Sequence, residues 1–73
     1  MNGLMAQFRK DFPDLREQDY KLMSFIIAGF DIPTLAVFFN QRSIWVPYTK
    51  KHRLKTKILA AVPEISSRYL SFF

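Results

Sequence analysis

Four prolines and two glycines are the only strong backbone breakers in this 73-residue chain. A many-stranded fold needs turn residues every 8–12 positions or so. Pro13, the Gly29/Pro33 pair, Pro47 and Pro63 are instead spaced far enough apart to leave helix-length stretches between them, so the chain reads as helices joined by tight connections. With no cysteine, neither a disulfide framework nor a thiolate metal site is available, and the core must come from packing alone. A chain this short buries only about 60% of the surface its unfolded form exposes. Its 16% aromatic content, with eight phenylalanines, meets that demand. The expectation is one all-α domain over residues 1–73, with four to five helices.

Local patterns place the helices. Leu4, Met5, Phe8 and Phe12 fall on one face of a first helix over 3–12, which Pro13 stops. Asp14 is expected to cap a second helix, with Glu17 reaching back three residues as in a capping box. That helix runs to about Ala28, buries Tyr20 or Leu22, Met23, Ile26 and Ile27, and ends at Gly29, where a left-handed residue costs least. Asp31 caps a short third helix with Pro33 in its first turn and Leu35, Ala36, Phe38 and Phe39 on its apolar side. Asn40 to Ser43 form a short turn, with Ser43 as the cap of a fourth helix over 44–61, and Pro63 opens a fifth over 63–73 with Ile65, Tyr69, Leu70 and Phe73 on one side. The helix-turn-helix core is assigned to 15–58.

Charge is unevenly distributed between the two ends. Residues 1–40 hold four cations against five carboxylates, a balance of −1, and residues 41–73 hold seven against Glu64 alone, a balance of +6. Five of those cations lie in YTKKHRLKTK, residues 48–57, and no acidic residue occurs between Asp31 and Glu64. Winding the fourth helix at about 100° per residue puts Val46, Leu54, Ile58 and Ala61 in one apolar arc. The opposite arc carries Trp45, Thr49, His52 and Thr56, flanked by Tyr48 and Lys55 on one edge and Arg53 and Lys57 on the other. A merely solubilising face mixes charge signs for pairing along the helix, whereas this one lacks an anionic partner. A helix about 10–12 Å across fits the major groove of DNA, with edge cations on phosphates and central side chains at base edges.

The run LREQDYKLMSFIIAGFDIPTLAVFF resembles the LuxR-type (GerE-like) helix-turn-helix domain of bacterial transcription regulators. Leu15, Asp19, Leu22, Met23, Phe25, Ile26, Gly29, Asp31, Leu35, Ala36, Phe39 and Ser43 carry the resemblance. It spans residues 15 to about 58. It implies a DNA-binding output domain, found at the end of longer regulators, with a recognition helix after Ser43 and a terminal helix used in dimers. The chain departs from the family pattern at Trp45-Val46-Pro47-Tyr48-Thr49, where Pro47 stands in place of a lysine, and Arg53-Leu54 and Lys57-Ile58 arrive one residue late. These departures predict a helix kinked at Pro47 or starting later than Ser43.

Together these features predict a module that binds double-stranded DNA. Arg42, Lys50, Lys51, Arg53, Lys55 and Lys57 are the phosphate-contact candidates, and Trp45, Tyr48, Thr49 and His52 are the base-reading candidates. Trp45 either touches sugar or a thymine methyl or, if buried, pins the start of its helix. A degenerate helix-turn-helix that binds protein is the alternative, and an RNA-binding helical module fits the same charge. His52 is the only histidine, so neither a His-based zinc site nor a Ser/His/Asp triad finds its members, and no glycine-rich phosphate loop is present. Neither an enzyme, a metal, a cofactor nor a small-molecule substrate is expected. The start of the chain lacks a signal-peptide pattern, and FIIAGF and LAVFF are far shorter than a bilayer span of about 20 residues. The expected location is therefore cytoplasmic, without membrane insertion. The aromatic end leaves a homodimer through the C-terminal helix as a possible assembly.

Overall fold

The structure, a computed structural model, describes residues 3–38 and 45–73. Five helices occur in this order: α1 (Gly3–Asp11), α2 (Glu17–Ile27), α3 (Ile32–Phe38), α4 (Trp45–Leu59) and α5 (Pro63–Leu70), with no strand among the described residues. The protein is all-α, as the breaker spacing predicts. The expected turn over Asn40 to Ser43, its capping serine and Phe39 lie outside the described residues.

The core gathers Phe8 from α1, Tyr20, Leu22, Met23 and Ile26 from α2, Leu35 from α3, Leu54 and Ile58 from α4, and Tyr69 from α5. α1 packs on α2, and α4 packs on both α3 and α5. Aromatic contacts knit the chain ends together: the Phe8 ring stands edge-on to Tyr69 at 4.9 Å and to Tyr20 at 6.1 Å. Such pairs contribute about 0.5–1.5 kcal/mol beyond their burial, which matters in a chain with so small a core.

The start of α2 differs from the expectation. Arg16, not Asp14, stands in the extended conformation just before the helix, and the Asp19 carboxylate accepts the Arg16 backbone N–H at 3.2 Å. Glu17 does not reach back along its own helix. It takes both guanidinium nitrogens of Arg9, at 3.1 and 3.3 Å. The turn after Pro13 displaces the helix start, so Asp14 sits too early to cap, and the acidic residue in register for the third helical position is Asp19.

The end of α2 follows the sequence signal closely. Gly29 has φ +89°, its N–H bonds the Ile26 carbonyl at 3.0 Å, and the Phe30 N–H reaches back to the Phe25 carbonyl at 3.2 Å. This six-to-one and five-to-two pattern is the Schellman arrangement, and its usual apolar clasp is supplied by the Phe25 and Phe30 rings, 5.8 Å apart. The Asp31 carboxylate then accepts the Thr34 N–H at 2.9 Å and opens α3 as predicted. Leu35 and Ala36 point inward, while Phe38 remains 42% exposed and stacks on Phe25 at 4.7 Å.

α5 closes the fold onto α1. The Tyr69 hydroxyl, on a fully buried side chain, donates to Asp11 at 2.5 Å, and Arg68 and Gln7 donate to the same carboxylate at 3.1 and 2.9 Å. The outward side of α5 carries Glu64, Ser67 and Arg68, while Ile65, Leu70, Phe72 and Phe73 are half-buried against the core.

These bonds set a pH window for stability. The Tyr69 hydroxyl first, and then Gln7 and Arg68, hold Asp11 below the ordinary carboxylate range. Burial first, and then the hydrogen bond to Asp11 and its charge, push the Tyr69 phenol up to about 12. The Asp11 contribution is present above the unfolded carboxylate value and is lost as pH falls through the lowered one. The Tyr69 contribution is present below the unfolded value near 10 and is lost as pH rises toward about 12. Urea denaturation across pH should therefore show a loss of stability between about pH 10 and 12, and Tyr69→Phe should make that alkaline limb shallower. An unchanged limb would mean that the phenol does not hold α5 to α1.

Candidate nucleic-acid interface

α4 is the amphipathic element that defines the site. Its inward line is Pro47, Leu54 and Ile58, all fully buried, at spacings of seven and four residues that keep one side of a helix facing the core. Val46, expected in that apolar arc, is instead 36% exposed. On the helical wheel, position 47 lies at the centre of the arc made by residues 54, 58 and 61, and position 46 lies about 100° away. A residue avoided as a helix breaker is thus the one that faces the core.

Pro47 is the third described residue of α4. The expected cap at Ser43 and helix start at Ile44 lie outside the described residues. The Trp45 side chain and Arg42 lie outside what the structure describes.

With Pro47, Leu54 and Ile58 turned in, Tyr48, Thr49, His52, Arg53, Lys55, Thr56 and Lys57 are exposed, while Lys50 and Lys51 are half-buried at the edges. Lys50, Arg53 and Lys57 line one edge with Arg16 and Asp19, around a groove of about 180 Å³. Lys51 and Lys55 line the other with Tyr48, His52, Ile32 and Phe73, around an open groove of about 260 Å³. Thr49 sits between Val46, Lys50 and Arg53 in a third shallow depression of about 240 Å³. The polar centre and the cationic rims predicted from the helical wheel are therefore together on one surface.

Lys57 and Lys51 have engagements within the fold. Lys57 Nζ lies 3.3 Å from Asp19 Oδ2, so the charge expected to seek phosphate is met by a carboxylate from α2. Lys51 Nζ stands 6.0 Å from the centre of the Phe73 ring, at the outer limit of a cation–π contact. The Thr56 hydroxyl donates to the His52 carbonyl one turn back, at 3.0 Å, leaving Thr49 and His52 as the central polar side chains beside Arg53.

Arg16 is the residue that sequence reasoning missed. Nothing in local spacing links position 16 to positions 50 and 53; only the packing of the α2 start beside α4, tied by Asp19 and Lys57, brings them together. No cluster of three or more histidine, cysteine or acidic side chains fit to hold a metal occurs among the described residues. No helix among them is long and apolar enough to cross a membrane. Compared with family models, curated proteins and solved structures, the chain finds no match.

Proposed function

We propose that this chain is a helix-turn-helix module that binds duplex DNA through the exposed side of α4, as the output domain of a bacterial transcription regulator of the LuxR-type that its sequence resembles. The observation that carries this reading is the orientation of α4: the burial of Pro47, Leu54 and Ile58 turns Thr49, His52, Arg53 and Lys55 outward together. α4 bears no carboxylate of its own. A duplex supplies what this side chemically needs, phosphates for the rims and base edges for the centre. Lys50, Lys51, Arg53 and Lys55 are the phosphate contacts, and Thr49 and His52, with Tyr48 at the edge, are the base readers.

A protein-docking use is the second reading. It draws on Val37, 76% exposed, and on Phe30 and Phe38, each about 40% exposed beside Phe25. This apolar edge is built from the end of α2 and from α3, apart from the basic face of α4.

Binding-site selection separates reading from mere attraction. Thr49→Ala or His52→Ala should cost about 1–3 kcal/mol on a selected site and almost nothing on random duplex. Lys55→Ala should weaken both alike, because a phosphate contact carries no sequence information. If no sequence is enriched, or if the central and rim substitutions behave identically, base reading by α4 is excluded and only electrostatic attachment remains.

A further inference from the structure

The groove between the start of α2 and α4 is more specialised than the rest of the basic surface. Arg16, Lys50, Arg53 and Lys57 converge on it from two helices, against the single carboxylate of Asp19. That carboxylate is already engaged twice, by the Arg16 backbone N–H at 3.2 Å and by Lys57 at 3.3 Å. It therefore neutralises Lys57 and fixes the groove wall. Among the described residues, neither Arg16 nor Arg53 has an ion pair. Like charges gathered around one concavity repel, and an anion seated between them relieves that repulsion while taking charge-assisted hydrogen bonds from the guanidinium groups.

We propose that this groove is a phosphate site closed by Arg16. Resting on the duplex reading above, it takes one backbone phosphate of DNA beside the stretch on which α4 lies. Arg16 then acts as a second anchor from a different helix, fixing the angle at which α4 meets the duplex. Its guanidinium and that of Arg53 face the phosphate oxygens from the α2 and α4 walls, a geometry that planar, multi-donor groups satisfy better than an ammonium. The occupant is identified by its chemistry, a phosphodiester oxygen pair. A volume of about 180 Å³ accommodates such a group, and Lys50 and Arg53 at the rim also border Thr49.

Arg16→Ala is a clean probe because the side chain is exposed, and the cap bond to Asp19 uses the Arg16 backbone N–H, which the substitution keeps. Two arms use the full chain. In the first, inorganic phosphate is titrated at constant ionic strength while backbone amide shifts are followed. Saturable shifts are expected at Gln18, Asp19, Lys50 and Arg53, lost in Arg16→Ala and retained in Lys55→Ala, which lies outside the groove. In the second, random duplex is titrated over a range of salt. Arg16→Ala should weaken binding roughly threefold to tenfold and flatten the slope of log K against log salt by about 1. If duplex binds but Arg16→Ala keeps the wild-type slope and phosphate leaves the groove amides unmoved, the phosphate site is overturned and the duplex reading stands. If phosphate shifts the groove amides in an Arg16-dependent way while no duplex binds, the site stands and the duplex reading falls.

Discussion

Leu54→Ala should destabilise this protein by about 2–5 kcal/mol, the range for truncating a buried leucine where the surroundings relax only partly. Leu54 is fully buried, and it belongs to the core cluster that includes Ile58, Leu35 and Tyr69. A domain of 73 residues has a total margin of roughly 4–11 kcal/mol at roughly 0.05–0.15 kcal/mol per residue. The substitution therefore removes a large share of it, and the melting temperature should fall by at least about 10 °C. Val46→Ala, about two turns away on the same helix but 36% exposed, should stay within about 0.5 kcal/mol. Thermal melts of the two variants side by side check which side of α4 is inward. Equal losses, or a larger loss at Val46, would mean that α4 is rotated and that the exposed side described above is not the one that meets solvent.

The legible parts of the fold are those whose cause is local. Gly29 can be read from the sequence because a left-handed helix end favours glycine strongly, and the Phe25–Phe30 clasp falls at the matching offsets. Asp31 and Pro63 can be read for similar reasons, since a cap and a first-turn proline act within one turn of themselves. Asp14 misleads because two acidic residues, Asp14 and Asp19, compete to begin the same helix, and the choice depends on how the chain leaves Pro13. Pro47 misleads in the opposite sense. Its reputation as a breaker obscures its position at the centre of the apolar arc, where it serves as an ordinary buried ring. The candidate site divides along the same line. The exposed stripe of α4 follows from helical periodicity, whereas the pairing of Lys57 with Asp19 across 38 positions and the arrival of Arg16 beside Lys50 and Arg53 depend on how α2 lies along α4. No periodicity within one segment encodes that packing.

The apolar edge at Phe30, Val37 and Phe38 and the basic side of α4 make opposite demands on a partner. Protein docking on the first depends on burying exposed rings and is only weakly sensitive to salt. Duplex attachment to the second is governed by the release of counterions that DNA condenses along its phosphates. On the proposed duplex reading the cations on this side are Lys50, Lys51, Arg53 and Lys55 on α4 with Arg16 at the start of α2, and Lys57 pairs with Asp19. About five phosphate contacts at about 0.9 counterions each give a slope of log K against log salt of roughly −4 to −5. Between 50 and 200 mM salt, that slope corresponds to a loss of affinity of about several hundredfold.

Titration of the full chain with a fluorescent random duplex over this salt range tests the central claim most directly. Saturable binding at low salt with a slope of roughly −4 to −5 is the predicted result. No binding at the lowest salt, or binding whose strength barely changes across the range, would contradict it and leave the exposed aromatic edge as the surface that explains this protein.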